Sequence, residues 1–340
     1  MFDHKNFILT KNGVENFYFP NNRLLIQGLA LKIVKDSVKL IAEIDKEDRC
    51  GIEKTNVYLV TMLAQLFQRK LIKKSIKESK GNDFDPKIFD LNIINSSYDG
   101  YLLNLKKGFR SKLKNTNDFE KIKLLLINLI KNDGFIRSKL EQVDFNKDII
   151  CTGNNPLAIT YNKSFKKKLK LVKISEFFPG VDKDSIANNI DKRMKNFRLP
   201  NFYNEYINIF RAAFKENNIQ LSTKELKDIE RWHKEFLICI DFYETSLQRL
   251  KYLPNKLWTG SAGILWNKIL ATEIRKRGGK VTVFDHAYGS NLNTESTVPF
   301  FEFQETDEFV TFSDIFIEYF KDFSKDFIYD NRLPKLISIK

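Results

Sequence analysis

The chain has few cysteines, and it lacks the cysteine spacings that disulfide-bonded or zinc-bound small domains require. Its three cysteines, Cys50, Cys151 and Cys239, lie far apart and form no CxxC pair, which excludes a disulfide framework and a zinc-ribbon site. Runs of about 18 apolar residues are also missing, and the N-terminal MFDHKNFILTKNG has charges before any apolar block, so signals for membrane spanning and secretion are lacking. We therefore expect a cytoplasmic protein, with peripheral association at the inner face of the membrane left open.

Positive charge and phenylalanine are what the chain has in excess. It has 57 Lys and Arg against 43 Asp and Glu, a formal net charge of +14, and 30 Phe among 340 residues. The apolar content suffices for a sizeable core, and the length allows two or three domains. The charge suits anionic partners such as nucleotides, nucleic acid, acidic glycans or an anionic membrane. A composition rich in Lys, Asn, Ile and Phe is also what an AT-rich genome encodes, so the charge alone does not establish a binding surface.

Residues 1–145 are predicted to form a mainly helical region. LLIQGLALKIVKDSVKLIAEI and TNVYLVTMLAQLFQRKLIKKSIKES have apolar residues at spacings of three and four, which is the helical period. A further helix is predicted through DFEKIKLLLINLIKNDG and is expected to end at Gly134, where a left-handed C-cap fits.

Residues 146–340 are predicted to form an α/β, Rossmann-like domain with a helical insertion at about 183–250. KDIICTGNNP and KKLKLVKISEFF are typical of strands. The last helix of the insertion opens with Ser222 and Glu225 in capping-box spacing. From residue 253 onward the order is strand, loop, helix, strand, loop, strand, helix, strand, which indicates a parallel sheet with helices packed on it.

A loop of small residues, GSAG at 260–263, follows the apolar run KLWT and precedes a helix. Loops at the carboxyl ends of parallel strands form the ligand crevice in such sheets, and the free N–H groups of a helix start favour a phosphate or carboxylate. The loop is neither GxxxxGK[ST] nor GxGxxG, which sets ATPase and dinucleotide binding aside. A tight strand-to-helix turn is the alternative explanation. At the other end of this helix, Gly278 or Gly279 suits the C-cap.

The next predicted strand, KVTVFDH, places Asp285 and His286 at its carboxyl end. A histidine there can act as a general base, orient a phosphate or bond to the backbone. The loop that follows and the end of the first predicted strand supply the other candidate binding residues, which are Tyr288, Gly289, Ser290, Asn291, Thr152, Gly153 and Asn154.

Three motifs together, an LxTG–SAG loop, a helix ending RxRGGKVT and a strand closing with FDHxxG, resemble bacterial glycosyltransferases of the two-Rossmann-domain (GT-B) type that build capsule and lipopolysaccharide. The resemblance covers residues 253–340. Where many relatives have His-Gly, this chain has His286-Ala287. In such enzymes these loops face the interdomain cleft, which implies acceptor contact and catalysis for Gly260, Ser261, Gly263, His286, Tyr288 and Gly289.

The resemblance also implies the reaction. A sugar would pass from a nucleotide-activated donor to a glycan hydroxyl, with the nucleotide-sugar as co-substrate and with no metal or other cofactor. It further implies a second Rossmann domain for the donor, and since the chain ends at RLPKLISIK within another strand pattern, the chain is expected to be truncated before that domain. The attacking hydroxyl must lose its proton, so a carboxylate that acts as the base is also expected. The acids that follow His286 are Glu295, Glu302 and Glu305. Of these, Glu302 is the candidate base. Each of these acids is also explained as an ordinary surface acid.

A second class of function rests on the basic run NKSFKKKLKLVK at 162–173. Lysines of such a run can contact phosphates, and neighbouring aromatics can stack on bases; the same lysines, Lys163 to Lys173, can rest on an anionic membrane. The alternative function is therefore a basic, mainly helical protein that binds a membrane surface or, less favoured, nucleic acid. A solvated turn beside a strand also explains the run.

No metal site is predicted, because His233 lacks a second ligand one helical turn away. The apolar stripe around Trp232 is typical of a helix that packs in a core.

Overall fold

The structure is a computed structural model, and it describes residues 5–10, 13–18, 23–49, 51–80, 144, 148–153, 155–165, 169–178, 190–285, 298–330 and 332–339. The chain divides into two compact units. Unit 1 comprises Met1–Gly100 and Leu199–Lys234, and unit 2 comprises Tyr101–Arg198 and Glu235–Lys340. Residues 199–234, which the sequence placed in an insertion of the α/β domain, thus group with the N-terminal helices.

The elements of the described residues are as follows, in chain order. The strands are β1 (Lys5–Thr10), β2 (Gly13–Tyr18), β3 (Ile149–Thr152), β4 (Leu169–Leu171), β5 (Lys256–Thr259), β6 (Lys280–Phe284), β7 (Glu308–Thr311) and β8 (Lys335–Ser338). The α-helices are α1 (Arg23–Glu43), α2 (Ile52–Lys80), α3 (Pro156–Phe165), α4 (Tyr203–Glu216), α5 (Thr223–Gln248), α6 (Leu265–Lys276), α7 (Val298–Glu302) and α8 (Asp314–Phe323). Short 3-10 helices lie at Ile174–Phe177 and Ser324–Phe327.

Unit 1 combines an antiparallel hairpin of β1 and β2 with α1, α2, α4 and the first part of α5. Helices α1 and α2 were predicted from their apolar period, and the structure has them; the segment of the Gly134 helix lies outside the described residues. The helices bury aliphatic and aromatic side chains, and Phe67 meets Phe214 edge-on at 5.2 Å between ring centroids.

A fully buried histidine, His233, lies in the interior of unit 1. Its Nε2 lies 2.6 Å from Thr55 Oγ1, and its Nδ1 lies 3.3 Å from the Tyr203 hydroxyl. Thr55 donates its hydroxyl hydrogen to the Ile52 carbonyl oxygen at 3.0 Å, so the threonine oxygen accepts from Nε2 and the tyrosine hydroxyl donates to Nδ1. Burial lowers the pKa of His233 to about 3, which makes it a neutral core residue.

The start of α5 is fixed by the capping box that the sequence predicted. Glu225 N donates to Ser222 Oγ at 3.2 Å, and Ser222 N donates to Glu225 Oε2 at 2.7 Å. Two of the helix-start N–H groups are satisfied reciprocally in this way. The prediction is confirmed.

Replacing Ser222 by Ala should lower the free energy of unfolding by about 1 kcal/mol, because the N–H of Glu225 loses its acceptor. Urea unfolding followed by circular dichroism measures this change. Lys227→Ala, an exposed change within the same helix, is the control and should leave stability within about 0.5 kcal/mol. Equal midpoints for the two variants would contradict a stabilising role of the box.

Unit 2 contains a six-stranded, all-parallel sheet in the order β4-β3-β5-β6-β7-β8. This confirms the α/β class and the alternation predicted from residue 253 onward. One strand is shorter than predicted: only Leu169–Leu171 of KKLKLVKISEFF pairs with β3, and a 3-10 helix follows at Ile174–Phe177.

The sheet reverses its strand order beside β3. From β3 the chain moves to β4 on one side and later returns to place β5 on the other side of β3. The reversal point of an open parallel sheet is where its connections leave toward opposite faces, and it opens a crevice at the carboxyl ends of the two central strands. The crevice of this sheet is therefore expected between the ends of β3 and β5.

Helix α6 connects β5 to β6 and ends in the way its sequence predicted. Gly278 has φ +81°, and Gly279 N donates to the Ile274 carbonyl oxygen at 2.9 Å while Gly278 N donates to the Arg275 carbonyl oxygen at 3.0 Å. These two bonds form a Schellman motif, which needs a left-handed residue at this place. The C-cap prediction for this glycine pair is confirmed, and the motif directs the chain into β6.

Candidate functional site

The candidate site lies at the carboxyl ends of β3, β5, β6 and β7. Thr152 ends β3 and pairs in register with Thr259, which ends β5; Asp285 follows β6 directly. The predicted residues that the structure describes are Thr152, Gly153, Gly260, Ser261, Gly263, Asp285 and Glu302. The predicted residues that lie outside the described ranges are Asn154, His286, Tyr288, Gly289, Ser290 and Asn291.

The GSAG loop is bonded to the carboxylate of Glu302. Ser261 Oγ donates to Glu302 Oε1 at 2.9 Å, Gly263 N donates to Oε2 at 3.2 Å, and Ala262 N also donates to Oε2. Glu302 lies at the end of α7 and is only 5% exposed. The donors at the start of α6 thus hold a carboxylate of the chain itself, which is the type of anion that such a loop favours.

This geometry changes the interpretation of Glu302. The expectation that it is an ordinary surface acid is wrong, because the side chain is buried. Both of its oxygens accept hydrogen bonds from the loop, which favours a role in holding the loop; its role as a catalytic base stays a prediction. Glu305 accepts from Arg275 Nη1 at 3.1 Å, and Glu295 lies outside the described residues.

A second set of bonds joins the ends of β3 and β5 through Asn267 of α6. Asn267 Nδ2 donates to the Ser261 carbonyl oxygen at 2.7 Å and to Thr259 Oγ1 at 3.0 Å, and Thr152 Oγ1 donates to Asn267 Oδ1 at 3.4 Å. Asn267 is buried. The sequence signal for this role was an amide on the sheet-facing side of an amphipathic helix.

Asn155 is a site residue that the sequence analysis missed. Its Oδ1 accepts from Leu157 N at 2.8 Å and Ala158 N at 3.3 Å, so it caps α3. Its Nδ2 lies 3.4 Å from the Phe284 carbonyl oxygen and 3.5 Å from the Asp285 carbonyl oxygen. An Asn directly before the Pro at a helix start is an N-cap signal and could have identified the cap.

Asp285 connects β6 to β7. Its main-chain N–H donates to the Val310 carbonyl oxygen at 2.9 Å, and its Oδ2 accepts from Thr311 Oγ1 at 3.1 Å. The side chain is 3% exposed, so the carboxylate is part of the interior edge of the sheet. The next residue in sequence is His286.

Hydrogen bonds thus join polar groups at the carboxyl ends of β3, β5, β6 and β7. No family model, curated protein or solved structure matches the chain.

The remaining sequence candidates have simpler environments. Cys151 Sγ lies 3.1 Å from the Gly153 carbonyl oxygen, and burial raises the pKa of this thiol to about 12, which disfavours the nucleophilic thiolate. In the basic run, Lys163 and Lys173 are exposed and residues 166–168 lie outside the described ranges; its contact with a membrane or with nucleic acid stays a prediction. Among the described residues, no three His, Cys, Asp or Glu side chains are grouped as a metal site requires, and no helix is long and apolar enough to cross a membrane.

Proposed function

We propose that unit 2 is a Rossmann-like domain of a GT-B-type glycosyltransferase, which transfers a sugar from a nucleotide-activated donor to a glycan in bacterial surface polysaccharide synthesis. One observation supports this proposal most: the strand order places the reversal point between β3 and β5, and Gly153, the GSAG loop and Asp285 follow the carboxyl ends of β3, β5 and β6. Ligands of open parallel sheets bind at this edge. The three sequence motifs that resemble such transferases include two of these three segments.

The proposed chemistry assigns one role to each part of the edge. The glycan hydroxyl attacks the anomeric carbon of the donor sugar, the bond from that carbon to the phosphate oxygen breaks, and the nucleotide leaves with the electron pair. His286 accepts the proton of the attacking hydroxyl, as a neutral imidazole can near pH 7. The acceptor would bind beside the GSAG loop, where Gly260 leaves room for Asn155 and where Glu302 and Asn267 hold the loop in place.

Replacing His286 by Ala should lower the transfer rate by about a hundredfold or more, since a positioned general base contributes roughly that factor. The test incubates the full chain with a panel of UDP-, GDP- and CMP-sugars and with surface glycans extracted from bacteria. Release of the nucleotide and the mass gained by the glycan are measured together. His4→Ala is the matched control, because it removes an imidazole to which the proposal gives no role.

Two results would count against the proposal, in different ways. Absence of transfer from every donor in the panel would contradict the glycosyltransferase function. Transfer that proceeds equally well in His286→Ala and wild type would keep the function and reject the histidine as its base. Thermal unfolding of both variants checks that a lost rate reflects chemistry and not unfolding.

A further inference from the structure

The side chain of Asn155 contacts two elements, the start of helix α3 and the end of strand β6. Its oxygen caps α3, which follows β3, and its nitrogen points to the carbonyl oxygens of Phe284 and Asp285 at the end of β6. Strand β5 lies between β3 and β6 in the sheet. The amide therefore passes over the carboxyl end of β5 to reach β6.

This passage depends on the absence of a side chain at residue 260. A Cβ placed on Gly260 would lie 3.0 Å from Asn155 Nδ2 and 3.4 Å from its Cβ. Contacts that short force the neighbour to move, and Asn155 is buried, so it has little room to do so. The glycine was predicted to give a ligand access to the backbone, and in this structure it gives room to Asn155.

We infer that Asn155 is a positioning residue that fixes the point where the chain leaves β6 at Asp285, which directly precedes His286 in the sequence. The inference rests on the proposed function for its catalytic meaning. Capping alone does not explain the residue, because a cap uses only the side-chain oxygen, and Ser or Asp provides one equally well. The amide nitrogen adds the contact to β6, which neither of those residues can make.

The distinguishing variant is Asn155→Ser, which keeps a capping oxygen and removes the amide nitrogen. Its unfolding midpoint should stay close to that of the wild type, whereas Asn155→Ala, which loses both groups, should unfold earlier. In the transfer assay, Asn155→Ser should lower kcat by roughly tenfold to a hundredfold with little change in KM, as expected when reacting groups are misplaced. Gly260→Ala, which pushes the amide away, should give the same effect on kcat.

A second readout needs no activity. The chain has only three histidines, His4, His233 and His286, so their ring signals can be assigned by NMR with one variant each. In Asn155→Ser and in Gly260→Ala, the His286 signal should shift, and the signals of His4 and His233 should not. Lys227→Ala serves as the control and should leave all three signals in place.

The outcomes separate the inference from the function on which it rests. If Asn155→Ser has wild-type kcat and an unmoved His286 signal, Asn155 only caps α3 and the inference is overturned. If Gly260→Ala lowers the unfolding midpoint equally in wild-type and Asn155→Ser backgrounds, the two residues are not coupled and the proposed passage over β5 is rejected. If the wild type transfers no sugar but the His286 signal shifts as expected, the glycosyltransferase function fails and the positioning role stands.

Discussion

Replacing Glu302 by Ala should lower the free energy of unfolding by about 3 kcal/mol or more. The change leaves the Ser261 hydroxyl and the N–H groups of Ala262 and Gly263 without the carboxylate that accepts from them. The buried Ala262 N–H and the Ser261 hydroxyl lose their acceptor, at about 1–3 kcal/mol each, whereas Gly263 N keeps a second acceptor in Ser261 Oγ at 3.2 Å. The start of α6 also loses a negative charge where its dipole favours one. Urea unfolding monitored by circular dichroism measures the loss.

The control for this variant is Glu318→Ala, which removes a carboxylate whose side chain is 75% exposed and pairs with Lys321 at a helix spacing of three. An exposed pair of this type contributes about 0.5 kcal/mol or less. Glu302→Gln should lie between the wild type and Glu302→Ala, because its one carbonyl oxygen accepts from some of the three donors, and its amide N–H₂ opposes the others. Equal stability of the Glu302→Ala and Glu318→Ala variants would show that water replaces the carboxylate without cost.

Unit 1 should lose stability in mild acid because of His233. Its pKa is lowered by burial from the ordinary 6.5 to about 3 in the folded chain. Below pH 6.5 the unfolded chain therefore takes up a proton that the folded chain does not bind until about pH 3. The contribution is fully present above pH 6.5 and falls by about 1.4 kcal/mol for each pH unit below it, so about 2 kcal/mol is lost by pH 5.

The hydrogen bonds around the His233 ring also disfavour its protonated form in the folded chain. Nδ1 accepts from the Tyr203 hydroxyl, so a proton added there would place two donors face to face. Denaturant unfolding at pH 7 and pH 5 should show a larger loss for the wild type than for His233→Gln, which has no group that titrates in this range. An NMR titration of the wild type gives a second measurement: the His233 ring should stay neutral at pH 5, and titration near pH 6.5 would contradict the prediction.

The elements predicted well from the sequence are those whose signals are close together in the chain. The run from β5 through α6 to β6 has a strand pattern, a helical period and a glycine pair within about thirty residues, and each signal acts on its own neighbours. The capping box at Ser222 is local in the same sense. The hairpin of β1 and β2 was missed, because residues 1–145 were predicted to be mainly helical.

The contacts that the sequence did not predict depend on the order of the strands in the sheet. Glu302 bonds to a loop some forty positions earlier, and Asn155 reaches Asp285 across 130 positions. Neither partner follows from period or propensity, because a parallel sheet brings together strand ends that are remote in the chain. The grouping of residues 199–234 with the N-terminal helices has the same origin, since local patterns identify helices but not their packing partners.

The ladder between β3 and β5 also has a consequence for how the chain folds. Ile150 pairs with Leu257, more than one hundred positions later, whereas the ladders from β5 to β8 join strands separated by about thirty residues or fewer. Closing a longer loop costs more chain entropy, and such contacts form slowly. We expect β5 to β8 to assemble first, with β3 and β4 docking onto them late. The crevice at the reversal point would then be the last part of the sheet to form, and the rate at which ligand-binding competence is regained on refolding would measure that final step.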